Sequence, residues 1–190
     1  MFYLLNYNYF DKIKINNFNE RKNKIILSGY IGGGYKSRIE FYNLIQKENF
    51  NNLIYHLNHP NYFKDINENI LGLNYYKKLE EYKGAFVGHH EFPLNFLLAK
   101  HIEVLMCGCL GFFEKNKLLK EELGLEEFVH YIPCTDDNGN LISDENFYIN
   151  WLNSEKGLQI ALTGANYVRE KFGEKYIMEY INFFNSCCDK

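Results

Sequence analysis

Asn95-Phe-Leu-Leu-Ala-Lys-His-Ile-Glu-Val-Leu-Met-Cys-Gly-Cys-Leu-Gly-Phe-Phe113 is the stretch on which the fold turns. Leu97, Leu98, Ile102, Leu105 and Met106 make one apolar face at helical spacing, which predicts a helix over Leu94–Cys107. Gly108 follows, and Cys109–Phe113 has the length and apolar character of a buried strand. The same alternation extends upstream. Lys24–Gly29 reads as a strand, Tyr30–Tyr35 as a glycine loop, Lys36–Glu48 as a helix and Asn52–Leu57 as a second strand. A loop at Asn58–Tyr62, a helix at Tyr75–Tyr82 and a third strand at Gly84–Gly88 complete that half. Downstream come a helix near Lys115–Leu123, a fifth strand at Phe128–Ile132 and a turn at Asp136–Asn140. Helices are expected at Asp144–Leu152, Ser154–Lys171 and Gly173–Asn185. Strands alternating with helices predict an α/β fold, a Rossmann-like parallel sheet of about five or six strands with helices on both faces. Residues 1–23, polar and charged from Asn6 onward, read as an N-terminal arm, and 24–190 as one domain.

Composition narrows the function classes. With 46% hydrophobic and 24% charged residues, the 190-residue chain has the balance of a globular domain rather than a disordered one. A net charge of −3 argues against nucleic acid as the main partner, because phosphate-backbone binders carry a strong basic excess. Sixteen Tyr and sixteen Phe, with abundant Asn, Lys and Ile, resemble AT-biased coding of the kind found in some large DNA viruses and parasites, so an isolated Tyr or Asn means less here than elsewhere. The five cysteines are an odd number without metal-ligand spacing, and Met1–Phe10 lacks the basic start of a signal peptide. Free thiols, a cytoplasmic location and no bound metal are the expectations. No stretch approaches the ~20 apolar residues of a membrane span.

Chemistry should gather beyond the carboxyl ends of the strands, where such sheets bind ligands. Gly33 and Gly34 lie in the loop between the first strand and its helix, a place where backbone N–H groups and a helix start can meet phosphate. The loop lacks the Gly-Lys-Ser/Thr ending of a Walker motif, so by itself it is equally a ligand-free turn. Arg38, one turn into that helix, suits a phosphate or a carboxylate. Asn95, Ala99 and Glu103 stack at four-residue spacing, with Asn95 at the helix start and Lys100 one turn before Glu103. That face offers an anion site followed by a carboxylate, or simply a solvated Lys100–Glu103 pair. His89 and His90, ahead of Pro93, suit phosphate contact or proton transfer, and otherwise are exposed loop histidines.

Five segments in order resemble one family. Lys100-His-Ile-Glu103-Val-Leu-Met-Cys107-Gly108 is similar to the K-x-x-E-x-x-x-C-G segment of GT-B glycosyltransferases of the family-1-like group. Ser28-Gly29 followed by Tyr35-x-x-Arg38 resembles its S-G … Y-P-x-R start, with Lys36 in place of proline. His59-Pro60-Asn61-Tyr62 resembles H-P-x-Y, and Leu123-Gly124-Leu125 with His130-Tyr131 resembles L-G-L … H-Y. Ile160-Ala161-x-x-Gly164 through Val168, then Phe172, is similar to the closing helices. The resemblance covers about residues 24–185 and implies a single GT-B half-domain, the donor-binding one. It implies that Glu103 holds ribose hydroxyls and that the helix start near Asn95 faces the diphosphate. Many relatives carry a glutamate where Asn95 stands, which speaks against their type of retaining chemistry.

The expected function is therefore transfer of a sugar from a nucleoside diphosphate sugar to a glycan or other acceptor, without a cofactor or obligatory metal. No catalytic residue is assigned. In GT-B enzymes the other half carries most of the acceptor site, so a second copy of the chain or a separate acceptor-binding chain is expected to supply it. The alternative is a non-catalytic module that binds a nucleotide or a glycan.

Overall fold

The computed structural model describes residues 15–57, 73–89 and 99–173. Its centre is a five-stranded, wholly parallel sheet in the order β2-β1-β3-β4-β5. The strands are β1 (Lys22–Ser28), β2 (Ile54–Leu57), β3 (Tyr82–Val87), β4 (Leu110–Phe113) and β5 (Ile132–Pro133). Six α-helices are present among the described residues. They are α1 (Lys36–Leu44), α2 (Leu73–Glu80), α3 (Lys100–Met106), α4 (Lys117–Glu121), α5 (Glu145–Asn153) and α6 (Glu155–Phe172). The α/β fold with a Rossmann-like parallel sheet is thus observed.

Side-chain alternation along the strands divides the core into two layers. Ile25, Leu27, Phe86, Phe112 and Ile132 face one side, against Phe41 and Leu44 of α1, Tyr148 and Leu152 of α5, and Ile160 and Ala161 of α6. Phe41 stacks on Phe86 with ring centroids 4.1 Å apart. Ile26, Ala85, Val87 and Phe113 face the other side, against Leu79 of α2, Leu105 of α3, Leu119 of α4 and Val168 of α6. Coverage on both faces is why β3 and β4 are buried along their whole length, β4 as an unbroken apolar run and β3 with Lys83 buried among apolar neighbours. The long helix α6 serves both layers, and it starts where Ser154 Oγ accepts from Gly157 N at 2.9 Å.

Two sequence expectations change. Residues 15–23, assigned to the arm, belong to the packed domain: Phe18 is only 2% exposed and joins the α1–α5 layer. Arg21 is buried too, and its Nη1 donates to the Cys107 carbonyl at 2.9 Å. The second change is at the fifth strand, expected over Phe128–Ile132 but reduced to Ile132–Pro133. The segment before it closes on itself as a turn, with His130 N donating to Glu126 O and Glu126 N donating to His130 Nδ1. Phe128 takes a left-handed backbone (φ 58°) that no strand residue adopts. The helix expected at Gly173–Asn185 lies, beyond Gly173, outside the described residues.

Cys107, Cys109 and Cys134 are buried free thiols. Burial pushes all three thiols up, that of Cys109 to about 11. Among the described residues no helix is long and apolar enough to cross a membrane.

Candidate functional site

The strand order creates one special place. From β1 the chain crosses to β2 on one side and later returns to lay β3 on the other, which opens a crevice beyond the carboxyl ends of β1 and β3. The pairing of Leu27 with Phe86 places Gly29 and Gly88 on neighbouring strands, two residues further on, at the floor of that crevice.

Two cations meet over Gly29. A Cβ on this residue would lie 3.3 Å from Arg38 Nη1 and 3.4 Å from Lys100 Nζ, and its φ of +109° is one that side chains rarely adopt. Arg38 is 3% exposed, donates from Nη1 to the Tyr30 carbonyl at 3.1 Å and lies 3.9 Å from the centre of the Tyr35 ring. Lys100 donates from Nζ to Ser28 Oγ at 3.0 Å, and it sits 5.0 Å from the centre of the Tyr75 ring. Tyr75 Oη and Ser28 Oγ are 2.9 Å apart, so Tyr75 and Lys100 share one hydroxyl. Burial, then the charge of Arg38, pulls the Lys100 ammonium down to about 8 against the opposing pull of Glu103. Burial likewise lowers Arg38, although a guanidinium stays protonated in proteins.

Neither cation has a carboxylate at ion-pair distance among the described residues. The ion pairs there are Lys22–Glu81, Lys78–Glu81, His89–Glu114 and Lys115–Asp137. A buried charge is costly unless an opposite charge meets it. The crevice therefore holds two cations without a direct counter-ion among the described residues.

Beside this lies an acidic counterpart on β4. Glu114 Oε2 accepts from Ser37 Oγ at 2.5 Å and from the His89 backbone N–H at 3.2 Å. His89 Nδ1 is 2.9 Å from the same oxygen, an ion-pair distance at an angle poor for a hydrogen bond. Burial alone would raise the Glu114 carboxyl, but the contacts from His89 and Ser37 hold it below the ordinary carboxylate range. Gly88 leaves the room for this cluster, since a Cβ there would fall 2.2 Å from Ser37 Oγ.

The residues singled out in the sequence separate into groups. Arg38 and Lys100 meet over Gly29, and His89, just past β3, meets Glu114. Glu103 stands one turn further along α3, half-buried, and accepts from Tyr76 Oη at 3.2 Å. Burial raises its carboxyl, with Lys100 and Tyr76 working in the opposite direction. Glu103 is thus neither a freely solvated carboxylate nor ion-paired to Lys100, which turns to Ser28 instead. Gly33 (φ +62°) has open space where a side chain would sit, and Gly34 is in the turn leading to α1. Asn95 and His90 lie outside the described residues, as do His59 and Pro60.

Sequence reasoning quoted Ser28 only within the Ser28-Gly29 segment, without a role, and passed over Ser37, Tyr75 and Glu114. A usable signal existed for two of them, because Ser28 ends β1 and Glu114 directly follows β4, both at the ligand-binding edge. His56, near the end of β2, places Nε2 3.4 Å from the Gly29 carbonyl. Burial pushes its imidazole down, as does Arg38, while the Gly29 carbonyl opposes them.

No protein-family model matches the chain, and a search of curated proteins returns no significant match.

Proposed function

We propose that this domain binds a nucleoside diphosphate sugar as the donor-binding half of a GT-B-type glycosyltransferase and takes part in transfer of the sugar to an acceptor. One observation carries the reading: Arg38 and Lys100 converge over Gly29, between β1 and β3, and neither has a carboxylate at ion-pair distance among the described residues. The β1–α1 and α3 segments that supply these cations are also two that resemble the family. A diphosphate matches the two charges. In transfer, the bond between the anomeric carbon and the diphosphate oxygen breaks, and its electron pair leaves on that oxygen. Arg38 and Lys100, already fixed in a partly dry site, meet the developing charge. Glu103 accepts from Tyr76 at Oε1, and its other oxygen would receive the ribose hydroxyls. His89 adds a third group able to face phosphate.

A thermal-shift screen of nucleoside diphosphates, their sugars and inorganic phosphate on wild type and Arg38→Met tests the reading. A true ligand at a hundredfold excess over Kd stabilises by about 2.7 kcal/mol. The expected result is stabilisation by one nucleotide family in wild type and its loss in Arg38→Met. No shift with any nucleotide, or equal shifts in both proteins, would overturn it. Release of nucleoside diphosphate from the bound sugar nucleotide distinguishes a transferase from a binding module.

A further inference from the structure

The Ser37–His89–Glu114 cluster does not belong to the pair of cations, yet it shares their crevice. Glu114 has nowhere to go but inward. It directly follows β4, is 9% exposed, and gathers Ser37 from α1 and His89 from the end of β3 onto one oxygen. Two other elements thus hold the carboxylate that follows β4, and the missing side chain of Gly88 makes the space for it. The His89 ring meets Glu114 on one side. Its Nδ1 is buried and lies 2.9 Å from Glu114 Oε2, at an angle poor for a hydrogen bond, so the contact is one of charge. His89 follows Gly88, two residues past Phe86, and Phe86 pairs with Leu27, two residues before the Gly29 that lies beneath Arg38 and Lys100.

We propose that Glu114 is a positioning residue, which holds His89 through Nδ1 so that Nε2 is presented to the anion that Arg38 and Lys100 bind. A protonated imidazole donates from both nitrogens. With Nδ1 directed to Glu114, the Nε2–H is aimed at a phosphate oxygen. Ser37 keeps the carboxylate from swinging toward the two cations, where it would compete with the ligand. The inference rests on the anion-binding reading above and adds to it the group that orients the third ligand.

The test uses Glu114→Gln, which keeps the side-chain size and an oxygen for the Ser37 hydroxyl while removing the charge. Inorganic pyrophosphate serves as the probe, since it carries the anion without base or sugar. Two readouts are taken: pyrophosphate affinity by calorimetry, and the ring-nitrogen NMR signals of His89 with and without pyrophosphate. In wild type the proton should sit on Nδ1 in the free protein, and the Nε2 signal should move on adding pyrophosphate. In Glu114→Gln the Nδ1 preference should disappear and affinity should fall about tenfold, the scale of one charge-assisted hydrogen bond. Ser37→Ala, which loosens the carboxylate without discharging it, should fall between the two. A purely structural Glu114 predicts a lower melting temperature with unchanged ring signals and unchanged affinity, and that result overturns the inference. Pyrophosphate binding equally to wild type and Glu114→Gln overturns it as well, while leaving the anion site intact. Failure of wild type to bind pyrophosphate removes both this inference and the anion reading beneath it.

Discussion

Arg38 is buried against Tyr30 and Tyr35 with no carboxylate at ion-pair distance among the described residues, an arrangement that costs stability. A buried ion without a counter-ion costs several kcal/mol even after relaxation. Arg38→Met, similar in length and uncharged, should therefore melt at or above the wild-type temperature while losing most anion affinity. A clear drop in melting temperature with intact binding would show that the guanidinium is there for packing. Lys100 adds a pH signature. Its folded value, about 8, lies below its ordinary 10.5. Between those pH values the unfolded chain holds a proton that the folded protein has released. Stability from this site thus rises with pH from about 8 toward 10.5, and below 8 the cost of burying the charge is complete. Anion binding has the opposite dependence, because it needs the protonated amine. Pyrophosphate affinity measured by calorimetry from pH 7 to 9 should fall more steeply in wild type than in Lys100→Arg, whose guanidinium keeps its proton. Parallel profiles would remove Lys100 from the site.

Elements meet at the crevice through close approaches that only small residues permit. Gly88 directly follows β3, beside the first turn of α1, and an added Cβ would overlap Ser37 Oγ. Gly88→Ala should cost about 1–3 kcal/mol, the usual range for overpacking. Removing the hydroxyl should relieve part of that, so the Ser37→Ala/Gly88→Ala double variant should be more stable in denaturant titration than the sum of the singles. Strict additivity would mean that α1 moves away as a unit. At the opposite end of the fold, α3 is held by arginines from two distant elements: Arg21 donates to Cys107 O, and Arg169 of α6 donates from Nη2 to Met106 O at 2.9 Å. These bonds satisfy carbonyls that every helix end leaves open. They anchor the helix that carries Lys100 and Glu103 into the site.

Across the whole molecule, the two layers share one sheet, and α6 joins them, so the described domain should unfold as a unit. Phe18 probes this from the segment that reads as an arm. Phe18→Ala should lower stability by about 3–5 kcal/mol, as expected for emptying a buried aromatic site. Circular dichroism and tyrosine fluorescence should report the same shifted transition. A loss below about 1 kcal/mol, or separate transitions, would return residues 15–23 to the status of an appendage. The alternation of apolar runs with helical spacing was enough to read the parallel sheet, its five strands and most helices, because strand and helix periodicities are local properties of the chain. Gly33, Arg38, His89, Lys100 and Glu103 were legible as candidates for the same reason, each near a strand end or on a helix face. The burial of Phe18 and Arg21, the turn that shortens the fifth strand, the rotation of Lys100 to Ser28 and the capture of His89 by Glu114 were not legible. Each depends on which strand lies beside which. Only the crossing from β2 back past β1 to β3 brings residues 28, 38, 89, 100 and 114 to one crevice, and neighbours created by a crossover leave no period in the sequence.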